Sequence, residues 1–177
     1  MSPHKFRQFL ASQKEAQDEK EVINWTEVKE SWQAAANEFV AEIKILLDEF
    51  ASDIEIKQSE IEITEEELGC YKVPKLEVIL PNAKQNIEFT PIGTNLIAAH
   101  GRFDMEGVAG KIKWVLVPEN ADKPMISVRI KSKEIHSDTT ETASKLVWKL
   151  ATPPPHIRYL PLNQETLLEA IMEVSNG

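Results

Sequence analysis

The sequence predicts an α+β fold: an antiparallel meander of about five to seven strands with a long N-terminal helix and a C-terminal helix packed on one face. Three observations carry this. Val28, Trp32, Ala35, Phe39, Ile43, Leu46 and Phe50 recur at steps of three and four, one apolar stripe on a helix from about Thr26 to Ala51. From Asp53 the pattern turns to short alternating runs divided by turn residues. These connections are too short to hold crossover helices, so neighbouring strands run antiparallel.

The elements follow in order. Phe6, Phe9 and Leu10 share one face of a short helix that fades into the polar run Ser12 to Lys20. Residues 1–24 therefore read as a helical and solvated extension, and residues 25–177 as a single domain. Thr26 is the expected N-cap of the long helix, with Glu27 and Glu30 suited to the positive end of its dipole. The stripe also contains heptad spacings (Trp32, Phe39, Leu46), so a homodimer through this helix is an alternative to packing on the chain's own sheet.

Ile54 and Ile56, then Ile61 and Ile63, predict two half-buried strands, and Thr64 to Gly69 a single helical turn with a capping-box spacing. Further strands are expected at Lys75–Leu80, Asn86–Pro91, Asn95–Met105, Gly110–Val117, Met125–Ile130 and Lys145–Leu150. Thr90-Pro91-Ile92-Gly93-Thr94 reads as a hairpin turn. Pro153-Pro154-Pro155 breaks the sheet pattern and reads as a linker or a recognition run beside Arg158 and Tyr159. Asn163 is placed to cap a last helix, whose apolar face is Leu167, Leu168, Ile171, Met172 and Val174.

Composition narrows the function classes. The 177 residues are 42% hydrophobic, enough for a packed core. One cysteine, Cys70, excludes an internal disulfide and a cysteine metal cage, and with no apolar leader run it points to the cytoplasm. Cys70 itself reads as a small buried side chain. No stretch has the apolar length of a membrane span. The net charge is −9, and residues 1–70 carry 17 Asp and Glu against 7 Lys and Arg. Phosphate-rich ligands are repelled by such a surface, so nucleic acid is not expected as the main ligand. A basic protein partner is favoured instead.

Chemistry-bearing motifs are few. His4, His100, His136 and His156 are scattered, with no metal-ligand spacing. No phosphate loop and no nucleophile elbow occur. No catalytic residue, metal or cofactor is therefore assigned. His100-Gly101-Arg102-Phe103-Asp104 is the notable stretch: in a strand, His100, Arg102 and Asp104 would stand about 7 Å apart along one face, a candidate ligand or partner contact. The competing reading is a polar hairpin face with an Arg–Asp pair.

These observations favour a non-enzymatic protein-binding module with an acidic contact face, its first candidates Glu60, Glu62, Glu65 and Glu66. An immunity- or inhibitor-type protein and an accessory subunit of a bacterial complex are concrete versions. The order of elements is similar to that of many small bacterial proteins, a likeness that assigns no site. A small-ligand protein or enzyme using the His100, Arg102 and Asp104 face is the alternative, and a deep apolar pocket beside those residues would favour it.

Overall fold

The computed structural model describes residues 5–8, 24–94, 96, 99–125 and 144–176. Residues 5–8 are helical, and the rest of the expected N-terminal helix lies outside the described residues. Helix α1 spans Trp25–Leu46 and is followed by a 3-10 turn at Asp48–Phe50. Strands β1 (Glu55–Glu65), β2 (Gly69–Ile79), β3 (Ile87–Gly93), β4 (Gly101–Gly107), β5 (Gly110–Pro118), β6 (Leu146–Ala151) and β7 (Tyr159–Pro161) form one sheet in sequence order. Every neighbouring pair is antiparallel. Helix α2, Gln164–Asn176, closes the fold, so the predicted α+β meander with two flanking helices is the architecture found.

The two helices cover the same face of the sheet, and β4 shows why. A Cβ on Gly101 would stand 2.3 Å from Trp32 Cζ3 of α1. A Cβ on Gly107 would stand 2.5 Å from the Val174 carbonyl oxygen of α2. Residues 101 and 107 have the same pleat parity, so both helices rest on one side, each against bare backbone. The core between them is aromatic. Phe39 lies with its ring centroid 4.7 Å from Phe103 and 4.6 Å from Trp148. Trp148 Nε1 also donates to the Ala35 carbonyl at 3.1 Å, tying β6 to α1. Leu167, Ala170, Ile171 and Val174 supply the buried face of α2.

The α1 stripe is largely spent on this core. Trp32, Phe39 and Ile43 are buried, while Val28, Ala35, Leu46 and Phe50 are partly covered. Ala36, Val40 and Leu47 join them in the interior. Trp32 and Phe39 are thus not offered to a second copy.

Several boundaries differ from the expectation, each for a physical reason. The N-cap is Asn24, whose Oδ1 accepts from Glu27 N at 3.2 Å, so the helix begins before Thr26. Ile54 to Ile63 is not two strands: β1 runs through the polar middle because its ladder with β2 is unbroken from Glu55 to Glu65. Thr64 and Glu65 complete that strand, and residues 66–68 form the hairpin turn instead of a helical one. Cys70 is exposed, because it lies beside this turn at the start of β2. Pro91 and Gly93 belong to β3, with a register shift between them, so the expected hairpin turn is a strand irregularity. β4 begins only at Gly101, well after Asn95. The proline run is the loop of the β6–β7 hairpin, closed by Thr152 N to Arg158 O, and not a linker to the last helix. Most of the Met125–Ile130 strand expectation lies outside the described residues. Asn163 caps α2 as anticipated, its Oδ1 accepting from Thr166 N.

Only Leu76 to Val78 of β2 pair with β3. The outer part of the β1–β2 hairpin is therefore a two-stranded ribbon, which twists more strongly than a wide sheet. Its buried residues change parity on the way, from Leu76 and Val78 to Tyr71 and Val73. The ribbon closes against α1, where Gln33 Nε2 donates to the Lys72 carbonyl at 2.8 Å.

Candidate functional site

The N-terminal half of α1 presents two flanks. One carries the large buried residues. On the other, Ser31, Ala34 and Ala35 are short, and short side chains leave unfilled space between helix and sheet. The result is a cleft of about 490 Å³ with Leu116 and Trp148 from the strands at its floor. A second cleft of about 360 Å³ continues it towards the β1–β2 turn, sharing Val28, Thr94 and His100. A third of about 450 Å³ continues it the other way, sharing Glu38, Leu146 and Trp148. Together they make one groove along α1 from Asn24 to Glu42, about 27 Å at 1.5 Å rise per residue.

The floor of the central cleft is apolar, and the rim of the groove is mostly acidic, with Lys145 and Lys149 at the far end. Trp25 and Leu146, each 39% exposed, stand along it as uncovered apolar surface. Glu27, Glu38 and Glu42 line it from α1, and Glu66 and Glu67 from the hairpin turn. Glu38 and Glu42 are four residues apart on the helix, where like charges repel. Burial, then the Glu38 charge, raises the Glu42 carboxyl above its ordinary value, and Lys145 pulls it partly back. Lys149 gives little relief, because its ammonium donates to the Glu119 and Ala121 carbonyls at 2.7 and 2.6 Å.

The residues singled out from sequence are distributed differently. Glu60, Glu62 and Glu66 are exposed, the first two on β1 and the third in the turn that ends the groove. Glu65 points inward. It accepts the Tyr71 hydroxyl, and its carboxylate accepts Thr94 N at 3.0 Å and Thr94 Oγ1 at 3.1 Å. This latch ties the end of the ribbon to the end of β3. Burial and then the Glu65 hydrogen bond raise the Tyr71 phenol well above its ordinary value of 10.0.

Arg102 and Asp104 are brought together, on the sheet face away from the helices. Arg102 Nε and Nη2 reach Asp104 at 2.6 and 2.8 Å, a two-pronged pair with Asp104 only 5% exposed. Lys111 Nζ stands 3.5 Å from the same carboxylate and 3.2 Å from Glu106. His100 is not with them. It precedes β4, so strand alternation does not place it, and it lines the groove beside Val28 on the helix side. Neither Arg102 nor Asp104 lines the groove. Among the described residues no three His, Cys, Asp or Glu side chains gather as a metal site requires, and no helix is long and apolar enough to cross a membrane.

The chain matches no family model, no curated protein and no solved structure. The groove itself was missed by sequence reasoning. Its signal was present in Ser31 and Ala34 beside Ala35, the smallest residue of the stripe, with Glu27, Glu38 and Glu42 on the same side.

Proposed function

We propose that this chain is a non-enzymatic protein-binding module that engages a basic protein partner through its acidic helix-side surface. An immunity- or inhibitor-type protein and an accessory subunit of a bacterial complex are the two versions it fits. The observation that carries the reading is the groove: among the described residues it shows uncovered apolar surface at Trp25 and Leu146, beside carboxylates whose repulsion a cationic partner would relieve. The acidic bias of residues 1–70 supports it by steering such a partner at long range. A small-ligand reading keeps His100 in the central cleft as its one support, since Arg102 and Asp104 neutralise each other on the opposite face.

The test is capture of partners by the tagged chain from lysate of its own cells, at low and then moderate salt. The reading expects one stoichiometric protein whose retention falls with salt and with charge reversal of acidic helix-side residues. A chain that comes down alone at low salt, or a partner indifferent to both changes, would count against it.

A further inference from the structure

Resting on that reading, we infer that the groove along α1 takes a basic amphipathic helix of the partner, laid lengthwise, with apolar side chains on the floor and Lys or Arg on the Glu27, Glu38 and Glu42 rim. The shape suits a long occupant, because three adjacent clefts with shared lining residues follow α1 over about 27 Å, the length of about 18 helical residues. The occupant's backbone selects the helix. One wall of the groove is α1, whose backbone groups are hydrogen-bonded within the helix, and of the floor strands β5 is paired on both sides while β6 pairs with β7 only from Lys149 to Ala151. An extended segment would find a ladder only along the three residues Leu146 to Trp148 and would leave most of its own N–H and C=O groups without partners. A helix satisfies them internally and needs only side-chain contacts.

The chemistry selects a basic, apolar-faced sequence. Leu146, 39% exposed, and the partly buried Val28 and Ala35 offer apolar surface for anchors, with the buried Trp148 and Leu116 beneath them. Glu38, shared by two clefts, and Glu42 stand one turn apart, so one cation between them offsets a repulsion that Lys145 relieves only in part. Glu27 repeats the charge nearer the other end.

The probe for a test is a fluorescein-labelled Leu/Lys helical peptide of about 18 residues, followed by anisotropy with the full chain. Two peptides accompany it: Ser/Lys, with the same charge and no apolar face, and Leu/Glu, with the apolar face and the opposite charge. The inference expects Leu/Lys to bind and the other two to bind far more weakly. Glu38→Lys with Glu42→Lys should weaken Leu/Lys by about tenfold or more. Glu169→Lys with Glu173→Lys makes the same charge change at the same spacing on the exposed side of α2, away from the groove, and should leave it near wild type. Ala34→Trp, at an exposed helical position lining the central cleft, should block binding by bulk without altering charge.

Equal weakening by the two reversal pairs, equal binding of Ser/Lys, or full binding to A34W would each overturn the inference. Weakening by Glu60→Lys with Glu62→Lys, while E38K/E42K binds normally, would sink the groove and leave an acidic protein-binding surface on the hairpin. Absence of Leu/Lys binding to the wild type, with capture of a salt-sensitive partner intact, would likewise remove the groove alone. Failure of both would remove the proposed function as well.

Discussion

Replacing Gly101 with Ala tests the way α1 sits on the sheet. The new Cβ would lie 2.3 Å from Trp32 Cζ3 and 2.6 Å from Cε3, whereas carbon atoms in contact rest about 3.5–4.0 Å apart. The indole must retreat by more than an ångström. Phe103 and Trp148 hem it in, each with its ring centroid 6.0 Å away. Such overpacking costs about 1–3 kcal/mol, and the rigidity of this aromatic cluster argues for the upper part of that range. Removing a glycine from a strand returns about 0.5–1 kcal/mol. The net loss is then about 2 kcal/mol, or a fall in Tm of about 4–8 °C for a chain of this size. Gly110→Ala is the control, because nothing lies within 4 Å of its Cβ position, and it should be neutral or slightly stabilising. Urea unfolding followed by circular dichroism gives both values. A double-mutant cycle with Trp32→Leu adds the specific test: in that background G101A should lose most of its cost, with a coupling of about 1–2 kcal/mol. Equal stability of G101A and G110A, or absence of coupling to Trp32, would refute the close approach of α1 to bare backbone.

Three other outcomes are expected. Asn24→Ala should cost about 1 kcal/mol through loss of the helix cap, and Thr26→Ala much less, which thermal unfolding can rank. Glu65→Ala leaves the Tyr71 hydroxyl and Thr94 N–H without their acceptor and should cost about 1–3 kcal/mol by urea denaturation. The Tyr71 phenol binds its proton more tightly folded than unfolded, so its stabilisation is full below its ordinary value of 10.0 and is lost as pH rises beyond it. Stability of the wild type should therefore fall more steeply above about pH 10 than that of Tyr71→Phe, and parallel curves would contradict the latch.

Much of the architecture was legible because periodicity reports burial. The step of α1 matched its buried face, and Ile112, Trp114 and Leu116 are buried as their alternation implied, although Val115 and Val117 on the other face of β5 are buried as well. Where the sequence misled, a local signal was overruled by a distant contact. The capping-box spacing at Thr64 favoured a helical turn, yet the unbroken β1–β2 ladder absorbs Thr64 and Glu65. Pro91 and Gly93 signalled a turn, but β4 pairs with that segment and turns the signal into a register shift. His100, Arg102 and Asp104 looked like one face only while a strand was assumed to include His100. Glu65 looked like one more surface carboxylate, since nothing in its neighbours reveals that Tyr71 and Thr94 converge on it. The groove depends on how closely helix and sheet approach, a distance that small residues at 31, 34 and 35 imply only once the sheet behind them is known.

The central claim is that the acidic groove along α1 is where a protein partner binds. Its most direct measurement is the affinity of the captured partner for wild type, E38K/E42K and E169K/E173K, by calorimetry at two salt concentrations. The account predicts a loss of about tenfold or more for the groove pair alone, with a shallower salt dependence. An unchanged affinity in E38K/E42K, or an equal loss in both pairs, would contradict it.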